Sequence, residues 1–251
     1  MKRYFLELGY DGTAYHGWQV QENATSVQAA VNEALSTVLR KTTNVTGCGR
    51  TDTGVHASKF FAHFEHEQAT LPERIVDRLN GLLPRDIAIY RCFPVRPDVH
   101  ARFSARSRMY HYRVVNRKDP FEHQRAYVFR LPLDGERMNR AAAQLLHNTD
   151  FTSFSKAGSQ VKTHECQVTH AAWQRQENGW LFAIRADRFL WNMVRSIVVT
   201  LIMVGKGEMS EADFKALMDA RKHGANGHSV PAAGLYLADV EYAPEDLMDN
   251  G

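Results

Sequence analysis

Between Tyr4 and Phe93 the sequence runs strand, helix, strand, strand, helix, strand, and this order restricts the fold more than any other feature. Residues 4–10 alternate, with Tyr4, Leu6, Leu8 and Tyr10 on one face and Phe5, Glu7 and Gly9 on the other. That pattern predicts a strand with one buried face. Asp11-Gly12-Thr13 turns the chain into an aromatic and polar loop, Tyr15-His16-Gly17-Trp18-Gln19. Thr25-Ser26-Val27-Gln28 has the spacing of a capping box, and Val27, Ala30, Val31, Ala34, Leu35 and Val38 follow at helical spacing to about Arg40. A strand–loop–strand comes next and ends near Glu65. A helix from about Pro72 to Leu82 and a strand from Asp86 to Phe93 complete a ferredoxin-like half.

The second half reuses these elements, although no sequence repeat is visible. After a crossover rich in proline, Ser107 to Asn116 reads as a strand, followed by a loop of about twenty residues, long enough to be functional. Asp134 caps a helix running through Leu146. Val168–Gln176 and Trp180–Ala186 form a hairpin about Asn178-Gly179. Trp191 to Val204 is a strongly apolar helix stopped by Gly205, Ser210 starts another to about Arg221, and Gly234 to Val240 closes as a strand. The expectation is an α+β fold. Two ferredoxin-like or RRM-like halves, 1–104 and 105–251, have mainly antiparallel sheets joined around a central cleft. A parallel α/β arrangement suits the short loops and the Asn-Gly turn less well.

A chain of 251 residues that is 44% hydrophobic and 24% charged can bury a real core. Its net charge of +3 says little about partners, so local clusters must carry that argument. Cys48, Cys92 and Cys166 lie far apart with no CxxC pair, which speaks against a disulfide framework or a structural zinc site and for a reducing compartment. Met1-Lys2-Arg3 leads straight into a strand-like segment, and no apolar run reaches membrane length. A cytoplasmic protein with no membrane partner is expected.

Gly49-Arg50-Thr51-Asp52-Thr53-Gly54-Val55-His56-Ala57 places one carboxylate on a loop bracketed by glycines and flanked by strands. A charged loop on a rigid sheet suits catalysis, but a surface hairpin in which Asp52 makes an Asx-turn fits these residues equally well. From Arg96 to Lys118 the chain carries Arg96, Arg102, Arg106, Arg108, Arg113, Arg117 and Lys118 against Asp98 alone, with Phe103, Tyr110 and Tyr112 interleaved. Arginines for phosphates among rings for bases fit looped or single-stranded RNA. Arg108, Tyr110 and Tyr112 fall on one strand face. A solvated arginine face explains the charges nearly as well, but not the alternation. Arg195 sits within the most apolar helix and needs a partner, for which Asp52 is the candidate. The alternative is an Arg195 on the helix's exposed stripe. His63-Phe64-Glu65-His66 invites a metal reading, but no HExxH or CxxC supports it. There is no GxSxG elbow, P-loop or GxGxxG, and nothing requires a nucleotide cofactor.

The Asp52 stretch resembles the catalytic-aspartate motif of the TruA family of tRNA pseudouridine synthases, and the resemblance extends over nearly the whole chain. Tyr10-Asp11-Gly12 with Gly17-Trp18-Gln19, His100-Ala101-Arg102-Phe103-Ser104-Ala105 and Tyr110-His111-Tyr112 match family motifs in order. So do Asp150-Phe151-Thr152-Ser153-Phe154, Phe189 with Met193-Val194-Arg195, and Gly234-Leu235-Tyr236-Leu237. The resemblance implies the pseudouridine synthase fold and isomerisation of uridine at positions 38, 39 and 40 of the tRNA anticodon arm. It also implies a homodimer with no cofactor and no metal.

The family's nucleophile matches Asp52, its active-site tyrosine Tyr110, its carboxylate-pairing arginine Arg195, and the arginine that helps displace the target nucleotide Arg50. Arg102 and Arg106 are the expected further RNA contacts. Thr53 departs from the usual alanine but removes no reacting group. A lone carboxylate suits a reaction that must keep water out better than the acid–base pair of a glycoside hydrolase does. The competing function is a catalytically silent RNA-binding or RNA-remodelling protein of the same fold.

Overall fold

The computed structural model describes residues 1–68, 70–156, 158, 161–225 and 227–247. The chain forms two compact units, one of Met1–Arg106 with Tyr236–Gly251 and one of Ser107–Leu235. In chain order the first contains β1 (Lys2–Tyr10), α1 (Val27–Leu39), β2 (Thr46–Gly47), β3 (His56–His66), α2 (Ile75–Leu82) and β4 (Ile87–Val95). The second contains β5 (Ser107–Val115), β6 (Tyr127–Val128), α3 (Gly135–Ala143), β7 (Val168–Gln176), β8 (Gly179–Ala186), α4 (Met193–Lys206) and α5 (Glu211–Asp219). β9 (Leu235–Glu241) then carries the chain back to the first unit.

In the first unit β1 lies between β3 and β4, antiparallel to both, and β2 adds antiparallel to β3. β9 pairs with β3 in parallel, at His56 with Tyr236 and Ala57 with Leu237. Both faces of β1 are covered, which corrects the expectation of one buried face. Phe5 is wholly buried, its ring against Phe61, Phe93 and Tyr242, while Leu6 and Leu8 are buried on the other side. Each such side chain contributes roughly 1.5–3 kcal/mol of transfer free energy. All three of these ring neighbours lie far from Phe5 in sequence. The N-cap of α1 is Ser26, which accepts the Ala29 N–H, so the expected Thr25 box does not form. Gln28 instead accepts the Val20 N–H and donates to the Val45 carbonyl.

In the second unit β8 lies between β5 and β7, antiparallel to both, and β6 pairs with β5 in parallel. The β7–β8 turn is made by Glu177-Asn178, one residue before the expected Asn178-Gly179, and Gly179, at φ +143, opens β8 paired with Gln176. Helix α4 runs past Gly205 and stops at Gly207, whose φ of +78 closes the last turn in the left-handed region. Gly205 is needed for packing instead. A Cβ there would lie 2.8 Å from the Met138 side chain of α3. The expected helix to Leu146 changes at Gln144 into a tighter 3₁₀ turn, Gln144–His147. Ser210 and Asp213 form a capping box on α5. Both units are thus mixed α and β with mainly antiparallel sheets, and among the described residues no helix is long and apolar enough to cross a membrane.

Candidate active site

Asp52 lies on the loop from Cys48 to Val55, between β2 and β3. At its start the Cys48 N–H donates to the Phe61 carbonyl at 2.7 Å. The Val55 N–H bonds back to the Asp52 carbonyl at 3.1 Å, making the loop a closed turn. The loop is held from outside by the segment between β1 and α1. The Thr51 carbonyl accepts the Trp18 N–H (3.2 Å), and the Gly54 N–H reaches the Tyr15 carbonyl (3.3 Å). The Thr51 hydroxyl bonds the Tyr10 phenol at 2.8 Å.

This close approach explains two glycines. Gly17 adopts φ +92, and a Cβ on it would lie 2.2 Å from the Thr51 carbonyl oxygen; a Cβ on Gly12 would lie 2.0 Å from that of Val55. Trp18 is buried and stacks on Phe60 with centroids 4.1 Å apart, while Tyr15 is buried and donates its hydroxyl to Asp86. The aromatic and polar loop therefore turns these two rings inward. His56 closes the far end of the loop. Its ring is buried and stacks on Tyr236 at 4.6 Å, with Nδ1 3.1 Å from both the Gly12 nitrogen and Asp11 Oδ1. Asp52 itself is half-buried, and Arg50 and Thr53 are exposed.

In the second unit Tyr110 sits on β5 opposite Ile184, half-buried, with the edge of Phe189 against its ring at 5.1 Å. Its strand neighbour Tyr112 is wholly buried and donates to the Pro231 carbonyl at 2.7 Å, so it is a core ring and cannot stack on RNA. Arg195, near the start of α4, is half-buried. Its Nε donates to the Val230 carbonyl (2.7 Å) and one terminal nitrogen to Ser229 Oγ (3.4 Å). A guanidinium carries five N–H donors, so these two bonds leave it capacity for a carboxylate.

The arginine cluster is less bare than its sequence. Arg96 pairs with Asp98 and Asp246, Arg106 faces Glu245 at 3.4 Å, and Arg113 pairs with Glu122 at 2.7 Å. Arg108 donates to the Asp187 carbonyl. Arg102 is exposed over the ring of Phe103, which is 76% exposed. Asp246 and Glu245, which meet Arg96 and Arg106, come from the far end of the chain, where no local reading finds them.

His63, once a metal candidate, is buried, and its Nδ1 accepts the Ala101 N–H at 3.2 Å. His100 Nδ1 accepts the N–H groups of Arg102 and Phe103, and the two imidazoles meet edge to face at 4.5 Å. Among the described residues no three His, Cys, Asp or Glu side chains converge as metal ligands would. Burial, then His100 and Arg3, lowers the His63 pKa to about 4, and burial lowers that of His100 also. Histidines held neutral when folded favour folding above their unfolded pKa of about 6.5, and that contribution is lost as pH falls toward 4. Stability is therefore expected to decline across this window, with His63→Phe flattening the decline. Urea unfolding midpoints at a series of pH values measure it, and equal slopes in both proteins would refute the assignment.

A family model described as tRNA pseudouridine synthase matches residues 141–243. A tRNA pseudouridine synthase A from Bacteroides fragilis is 49% identical over 251 residues, covering 99% of both chains. The chain belongs to this family. Another family member, from Bacteroides thetaiotaomicron, is 50% identical over 253 residues, covering all of this chain and 94% of its own. One from Halalkalibacterium halodurans is 39% identical over 253 residues, covering all of this chain and 96% of its own. In this member of the family, the reach from Tyr10 to Trp18 is the bed on which the Asp52 loop rests. Sequence reasoning missed that role, and the adjacent Gly17-Trp18 was the one signal for close packing that the sequence carried.

Proposed function

We propose that the chain isomerises uridine to pseudouridine at positions 38, 39 and 40 in the anticodon stem and loop of tRNAs. Near-full-length identity of 49% to a protein named tRNA pseudouridine synthase A carries the reading. It is supported by a lone half-buried carboxylate on a main-chain-clamped loop. The target nucleotide leaves the stem, with Arg50 helping to displace it. Asp52 then attacks the sugar or the base, or removes a sugar proton, and the freed uracil turns and rejoins through carbon.

Arg195 keeps Asp52 ionised and aimed, since an adjacent cation favours the carboxylate. Tyr110 stacks on the uracil and assists removal of the C5 proton. Arg102 and Arg106 take backbone phosphates. The exposed Arg106–Glu245 pair costs little to exchange for a phosphate, because such pairs are worth about 0–1 kcal/mol. On this reading two ferredoxin-like halves flank a cleft holding the stem, and the enzyme works without cofactor or metal as a cytoplasmic homodimer.

Tritium release from C5-labelled uridine in tRNA transcripts tests the activity; no release with folded protein defeats it. Tyr110→Phe is expected to leave tRNA affinity within about twofold, because stacking needs only the ring, while turnover falls about 10²- to 10⁴-fold, the range of general acid–base effects. Single-turnover rates beside binding curves separate the two roles, and a Phe enzyme as fast as the parent removes the proton-transfer role.

A further inference from the structure

The loop following β5 carries a feature that the proposed chemistry does not use. Phe121 is 84% exposed, the most exposed large apolar side chain of the described residues. Phe103 and Trp191, two other exposed rings, each lie beneath a cation, Arg102 and Lys156. Among the described residues no ring or cation covers Phe121.

The backbone beneath this ring is firmly held. Asp119 Oδ1 accepts the Phe121 N–H at 2.9 Å, Pro120 fixes the first position of the turn, and the Glu122 N–H bonds the Asp119 carbonyl. Glu122 is tied to Arg113 on β5 at 2.7 Å. Both acids of the turn are thereby engaged, one in capping and one in an ion pair. Arg117 and Lys118, immediately before it, are exposed and make no ion pair among the described residues.

A preorganised bare ring beside two unpaired cations is the combination that holds nucleic acid, with rings for bases and cations for phosphates. We infer that the loop from Asn116 to Arg125 is a nucleobase-stacking site for tRNA, with Phe121 as its platform and Arg117 and Lys118 as its phosphate contacts. The inference rests on tRNA being the substrate, and it assigns the loop a part in binding and none in bond making.

The test measures binding of the full-length protein to a fluorescently labelled tRNA transcript by anisotropy at fixed salt. Phe121→Ala is expected to weaken binding roughly 5- to 150-fold, the range for loss of one aromatic–base stack. Its thermal midpoint should not change, because the ring is in solvent. Phe121→Tyr should bind like the parent and Phe121→Leu like the alanine variant, since only the former keeps a π-face. Parent-like affinity of Phe121→Ala or Phe121→Leu would overturn the assignment. So would a fall in the molar mass of Phe121→Ala by sedimentation, which would make the ring a protein–protein contact. Failure of the parent to release tritium would defeat the proposed activity and leave these binding comparisons readable.

Discussion

Asp52→Asn is expected to fold, to bind tRNA and to make almost no pseudouridine. The substitution keeps the shape of a half-buried side chain and leaves intact the main-chain bond between the Asp52 carbonyl and the Val55 N–H. It removes the only carboxylate of the loop. The size of the loss is itself informative. Removing a general base costs typically about 10²- to 10⁴-fold, whereas removing a covalent nucleophile has cost on the order of 10⁶-fold. Single-turnover measurement with tritiated tRNA spans that range. A parent-like rate would remove Asp52 from the chemistry, and a loss limited to about a hundredfold would favour a proton-transfer role over attack.

Gly17→Ala is expected to damage both stability and catalysis. At φ +92 an L-residue is strained by about 1–3 kcal/mol, and here the new methyl would also sit 2.2 Å from the Thr51 carbonyl. Relief requires moving either the Trp18 backbone, whose ring is packed on Phe60, or the Thr51–Asp52 backbone. Together these effects lower the thermal midpoint by roughly 5–10 °C, at about 2–4 °C per kcal/mol for a protein of this size. Activity measured well below that midpoint should still fall tenfold or more, because Asp52 is displaced with Thr51. An alanine enzyme as stable and as fast as the parent would show that the two segments do not press on one another.

Most of the local structure was legible because it is written in short-range pattern. The alternation in β1, the tight turn just before Gly179 and the helical spacing from Val27 each involve neighbours within a few residues. What escaped depends on distant partners. The second face of β1 is covered by Phe93 and Tyr242, the β3–β9 pairing joins His56 to Tyr236, and Arg96 and Arg106 meet Asp246 and Glu245. Tyr112 looked like an RNA-facing ring by strand parity, yet its hydroxyl finds Pro231 and its ring fills the core. Gly205 looked like a stop signal, but α3 needs its missing side chain and Gly207 makes the stop. The candidate residues of the site were legible as motifs. Their support, from Gly12 to Trp18, was legible only as composition.

The bonds that secure the Asp52 loop from Tyr15 and Trp18 join main-chain atoms, and main-chain atoms are present whatever the codon. The loop can therefore accept mutational drift at some positions with little change of shape. Thr53, exposed and outside these bonds, is such a place. Gly12 and Gly17 have no comparable latitude, because any side chain there occupies the space in which the two backbones meet. Randomising all three codons in a cell that depends on the enzyme would leave residue 53 varied and residues 12 and 17 invariant glycines.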